Sequence, residues 1–149
     1  MKRQAWLLVL LIVALAAAAC GPTASGPKIR VENVWGRPSP KIATAGAFYM
    51  TIYNDGTEED RLIAAESPAC TTMELHESFK KEDGTMGMRP VEGGFIAVPA
   101  GGSAELKVGG LHVMCLDKKA DFKAGDKYPI TLKFEKSGAK AVEAEIKQQ

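Results

Sequence analysis

From about residue 29 to 147 the chain repeats one rhythm: short runs in which apolar and β-branched residues alternate with polar ones, each closed by Gly, Pro, Asn or Asp. A side-chain period of two belongs to a pleated strand with one buried face. Ten runs fit it, at 29–35, 46–54, 60–67, 72–78, 85–91, 94–99, 103–108, 111–116, 128–135 and 141–147. Turn-forming stretches such as NDGTEED, KEDGT, PAGG, KAGDK and KSGAK lie between them. No stretch sustains a helical period, which argues against a βαβ sheet. Many short antiparallel strands at this spacing imply an all-β sandwich or barrel.

The first 27 residues lack this rhythm. MKRQ is basic, residues 5–19 are continuously apolar, and small residues crowd the end, which is the layout of a secretory signal peptide over 1–19. The apolar run is shorter than the roughly 20 residues a spanning helix needs. Small residues before Cys20 and Gly21 after it resemble a bacterial lipoprotein signal, in which Cys20 is lipidated and becomes the mature N-terminus. Residues 20–27, rich in Gly, Pro, Ser and Thr, then read as a flexible tether. Residues 28–149 have the length of one domain. Without Lys2 and Arg3 the chain carries 17 basic against 18 acidic side chains, with the signs interspersed, so nothing in it argues for nucleic acid. The expected location is extracytoplasmic, with membrane contact through the lipid alone.

Alternation also assigns faces. In TMELHES, Met73 and Leu75 form the apolar set, and Glu74 and His76 point the other way. In LHVMCL, Leu111, Val113 and Cys115 make the natural core row, which leaves His112 and Met114 together on the opposite face. Met86 and Met88 share a face across Gly87. The chain contains only two His, and both fall on non-core faces close to Met.

His76, Met86, Met88, His112 and Met114 form a donor set with a chemical preference. Thioether sulfur and imidazole nitrogen suit a soft cation, and Cu(I) is the common biological ion that fits. Zn(II) would more usually recruit thiolate or carboxylate, and Ca(II) or Mg(II) would want oxygen. Outside the cytoplasm thiols oxidise to disulfides, whereas thioethers bind without deprotonation, so Met and His are practical Cu(I) ligands there.

His76, eleven intervening residues, Met88, twenty-three more, and then His112-Val113-Met114 is an arrangement that resembles the periplasmic copper(I) chaperones of the PCu(A)C type. The surrounding phrases MELHES, GTMGMRPVEGG, VPAGGSAELKVGGLHVM, FKAGDKYPITLKFE and AGAFYMTIYNDGTEEDRL extend the likeness over about 29–136. The resemblance implies a cupredoxin-like, Ig-like antiparallel Greek-key β-sandwich that binds Cu(I) and is not an enzyme. It implies His76, Met88, His112 and Met114 as ligands; Met86, which shares the Met88 face, is a candidate substitute or transient donor. It also implies a monomer that delivers copper to the Cu(A) site of a cytochrome c oxidase subunit, beside other assembly factors.

Cys70 and Cys115 depart from the family pattern. In an exported protein two remaining Cys most often form a disulfide. A thiolate donated to the metal and a redox-active pair are the alternatives, although strand parity aims Cys115 away from His112 and Met114. An electron-transfer cupredoxin would need a Cys ligand preceding the second His and Met, and Cys115 follows both. A metal-free structural lipoprotein domain is the third class.

Overall fold

The computed structural model describes residues 26–148. The expected signal segment 1–19, the expected lipidation site Cys20 and most of the expected 20–27 tether lie outside them. Gly26 and Pro27, counted with the tether, belong structurally to the domain. Thr57 donates its amide to the Gly26 carbonyl at 3.0 Å, and the Gly26 amide donates to Thr57 Oγ1 at 3.2 Å.

Ten strands form where the alternation predicts them. They are β1 (Ile29–Gly36), β2 (Gly46–Asn54), β3 (Asp60–Glu66), β4 (Cys70–Lys80), β5 (Met86–Pro90), β6 (Ile96–Val98), β7 (Ser103–Leu106), β8 (Leu111–Lys118), β9 (Lys127–Phe134) and β10 (Gly138–Ile146). β9 shows why: Ile130, Leu132 and Phe134 are buried while Thr131 and Lys133 between them are not. Among the described residues the one helical element is a 3-10 turn, Glu92–Gly94.

The strands hydrogen-bond in the order β5-β4-β8-β7-β2-β1-β10-β9-β3-β6. The far end of this ladder folds back on the near end, so that β3 packs against β4 and β6 against β7. One core fills the space between, with Phe48, Ile52, Leu62, Val98, Val113 and Leu132 fully buried. This is the expected sandwich, with one correction to its purely antiparallel character. β1 and β10 pair in parallel through Trp35↔Glu145 and Gly36↔Ile146, and β7 and β8 through Leu106↔Leu111.

The second exception shapes the site. β7 and β8 lie end to end along the same neighbour, with Leu106 opposite Met50 and Val113 opposite Phe48. Between them the chain leaves the line and returns through Lys107–Gly110. That excursion closes on bonds from the Lys107 amide to the Leu111 carbonyl (2.8 Å) and from the Gly110 amide to the Lys107 carbonyl (3.0 Å). Gly109 sits there at φ 79°, in the left-handed region that penalises other residues.

Candidate metal centre

Strand register brings the donors together. Residues directly opposite on neighbouring strands share a face. His76 on β4 lies opposite His112 on β8, and Glu74 lies opposite Met114. On the other side of β4, Ser78 faces Met88 and Lys80 faces Met86. His76, Met88, His112 and Met114 therefore occupy one face of three adjacent strands, and the imidazole centroids of His76 and His112 are 5.9 Å apart, edge to face. Met86 shares the face but stands one pleat repeat further from the His pair.

β5 is held in this orientation from behind. Gly87 lies opposite Phe79, and a Cβ on Gly87 would meet the Phe79 ring at 2.9 Å. Arg89 covers the same ring at 4.8 Å and donates to Glu77 at 2.7 Å. With the rear face occupied by ring and ion pair, both thioethers turn forward. Met88 and Met114 line an open depression of about 320 Å³ with Pro38, Ala47 and Tyr49 among its walls. A larger groove beside Cys70, about 640 Å³, is lined by Ser67, Thr71, Thr72 and Thr131, and neither His lines either cavity.

The hydrogen bonds decide which imidazole nitrogens are free. A backbone carbonyl only accepts, so His112 Nδ1–H donates to the Gly110 carbonyl at 3.0 Å. The same carbonyl takes the Ser78 amide at 3.0 Å, which ties the excursion to β4. A carboxylate likewise accepts, so His76 Nε2–H donates to Glu74 Oε2 at 2.8 Å. That leaves His112 Nε2 and His76 Nδ1, both buried and without a hydrogen-bonding partner. Buried polar atoms are rarely left bare, since each costs about 1–3 kcal/mol. Two bare imidazole lone pairs beside two thioethers fit a soft metal ion.

His112 is not outward-facing, as alternation alone implied; it is 2% exposed. Tyr49 lies 6.2 Å from it, and Trp35 covers Tyr49 at 4.6 Å. Burial lowers the His112 pKa, the Gly110 carbonyl opposes that, and His76 adds to it, with a net depression that favours the neutral ring. Among the described residues no three His, Cys, Asp or Glu side chains gather as a potential metal site. The His and Met side chains on this face offer imidazole nitrogen and thioether sulfur, and the Glu74 carboxylate beside them is bonded to the His76 ring.

Cys115 lies behind the strand, fully buried, and the structure joins it to Cys70 as a disulfide with Cα atoms 5.5 Å apart. Three neighbours escaped sequence reasoning. Strand parity put Glu74 on the His76 face, but its contact with the ring was not read. Tyr49 carries the parity of a non-core residue on β2, a signal that could have found it. Lys118, at the end of β8, is buried and donates to Ser39 O, Ser39 Oγ and Pro40 O at 2.8, 2.9 and 2.9 Å, fastening the 37–45 loop that walls the depression.

Fold and site together define a class: a small all-β domain presenting two imidazoles and two thioethers on one sheet face. Within that class the chain belongs to the LpqE-like lipoprotein family, whose model, described as "Putative lipoprotein LpqE-like", matches residues 29–146. It is 30% identical over 135 residues to "Putative lipoprotein Lxx21020" of Leifsonia xyli subsp. xyli (strain CTCB07), a match spanning 91% of this chain and 79% of that protein. Among solved structures, the apo PCuAC domain from PmoF1 superposes with a TM-score of 0.69 at 26% identity, covering 82% of this chain and 95% of that one. The solution structure of CuI-DR1885 from Deinococcus radiodurans gives 0.60 at 27% identity, covering 92% and 87%. The likeness to PCu(A)C-type domains read from the sequence is thereby shown.

Proposed function

We propose that the protein is an extracytoplasmic copper(I) carrier, with His76, Met88, His112 and Met114 as the primary shell and copper as cargo. The observation that carries this reading is the pair of buried, partnerless imidazole nitrogens on the face that also bears Met88 and Met114. The Cu(I)-bound state of DR1885, a protein of the same fold, supports the choice of ion. Neutral donors hold Cu(I) without thiolate charge, and an exposed Met88 on an edge strand lets an incoming ligand replace donors one at a time. Lipid on Cys20 would keep the carrier near membrane-embedded acceptors. The Cu(A) centre of cytochrome c oxidase is the acceptor proposed.

X-ray absorption on the Cu(I)-loaded protein beside a His112→Ala, Met114→Ala double variant tests the site. Loss of nitrogen and sulfur scatterers in the variant is expected, and an unchanged shell would refute the assignment. A deletion strain with normal oxidase activity under copper limitation would remove the Cu(A) role while sparing the site. The electron-transfer reading finds no support here, because a Cys115 held in a disulfide has no thiolate to give a blue copper centre.

A further inference from the structure

We infer that Glu74 is a positioning residue that makes Nδ1, and not Nε2, the copper-facing nitrogen of His76. The inference rests on the Cu(I) reading above and concerns one atom within it. Glu74 Oε2 lies 2.8 Å from His76 Nε2, and an ionised carboxylate has no proton to give, so the ring proton sits on Nε2. The Nδ1 lone pair is what remains, and it is buried with nothing to accept from. The two His are thus oriented by different means. Gly110 holds His112 by Nδ1 and frees Nε2, while Glu74 holds His76 by Nε2 and frees Nδ1.

Charge points the same way. Two imidazoles and two thioethers are neutral and leave the cation's charge uncompensated. Glu74 stands opposite Met114 in the ladder, so its carboxylate lies along the donor row. A carboxylate on the far nitrogen of a ligating imidazole orients the ring and raises its basicity. The next carboxylate on the same strand does not duplicate this arrangement. Glu77 faces the opposite side and is engaged by Arg89 at 2.7 Å, which makes it the natural control.

Copper(I) is diamagnetic, so long-range proton–nitrogen correlation spectra on 15N-labelled protein report which ring nitrogen carries the proton, with and without Cu(I). The expected parent spectrum shows His76 as the Nε2–H form in both states, with Cu(I) shifting Nδ1. Glu74→Gln, whose amide oxygen still accepts, should keep that form. Glu74→Ala should lose it and lower Cu(I) affinity about tenfold, the scale of such carboxylate–histidine contacts. His112 should keep the parent pattern throughout, and Glu77→Ala should keep the His76 tautomer; affinity is not the readout for that variant, because Glu77 pairs with the Arg89 that backs β5. A His76 that meets Cu(I) through Nε2, or a Glu74→Ala variant with unchanged tautomer and affinity, would overturn the inference alone. If Cu(I) moved neither His in the parent, the copper reading and this inference would fall together.

Discussion

Met86 and Met88 are 57% and 59% exposed, so exposure does not say which one binds. Their cross-strand partners set them apart. Met88 stands opposite Ser78, the next residue on the His76 face, and Met86 opposite Lys80, about 7 Å further along the pleat. Leu conserves volume and deletes the sulfur. Met88→Leu should therefore weaken Cu(I) binding roughly tenfold, about 1.4 kcal/mol, in competition with a chromogenic chelator. Met86→Leu should stay close to the parent, and the reverse ranking would transfer the ligand role to Met86. That His76, Met88, His112 and Met114 share one face was legible in the sequence, because strand parity is strict. The burial of His112 was not, because Tyr49 beside it, and Trp35 packed on Tyr49, come from strands more than 60 residues earlier.

All ten strands could be read from alternation: nine bury residues in the same core, and β5, with none buried, is the exception. What alternation does not encode is which strand lies beside which. The parallel contact of β7 with β8 arises because both lie along β2, whose paired residues are 50 or more positions away. Lys118 shows the same limit, for its alternation position says nothing of the loop it fastens. Its ammonium is pulled below the ordinary lysine pKa by burial, with Asp121 opposing, and its three acceptors and the Phe122 ring at 4.9 Å compensate its burial. Hydrogen bonds to a charged donor are worth about 1.5–3 kcal/mol each when measured singly, and partly solvated acceptors recover some of that. Lys118→Met should thus lower stability by about 2 kcal/mol in urea unfolding. It should also raise amide exchange across residues 37–45 selectively. Uniform acceleration throughout the domain would mean that Lys118 acts on the core and not on this loop.

Two features off the donor face bear on the stability of the whole molecule. The disulfide spans 45 residues and closes a chain segment that includes β4 through β7, which in the loop-entropy account is worth about 4 kcal/mol. A Cys70→Ala, Cys115→Ala variant should lose stability on that scale and still bind Cu(I) with a nitrogen and sulfur shell. Loss of a sulfur scatterer would instead make a cysteine a ligand. Asp60 acts on the opposite half of the sandwich. Its buried carboxylate accepts the amides of Arg61, Lys136 and Ser137 at 2.8, 2.9 and 2.9 Å, joining the start of β3 to the β9–β10 turn. Burial alone would raise its pKa, but Ser137 and the backbone amides outweigh it and the net shift is downward. A carboxyl that titrates lower when folded than when unfolded contributes its full stability above about pH 4, the unfolded value, and loses it as pH falls through the folded one. Asp60→Asn keeps one acceptor oxygen and cannot titrate, so at pH 7 it should cost about 2 kcal/mol. The gap between variant and parent should then close as urea unfolding is repeated toward pH 2, because only the parent loses its carboxylate. A gap that stayed constant with pH would show that the acid sensitivity of the fold lies elsewhere.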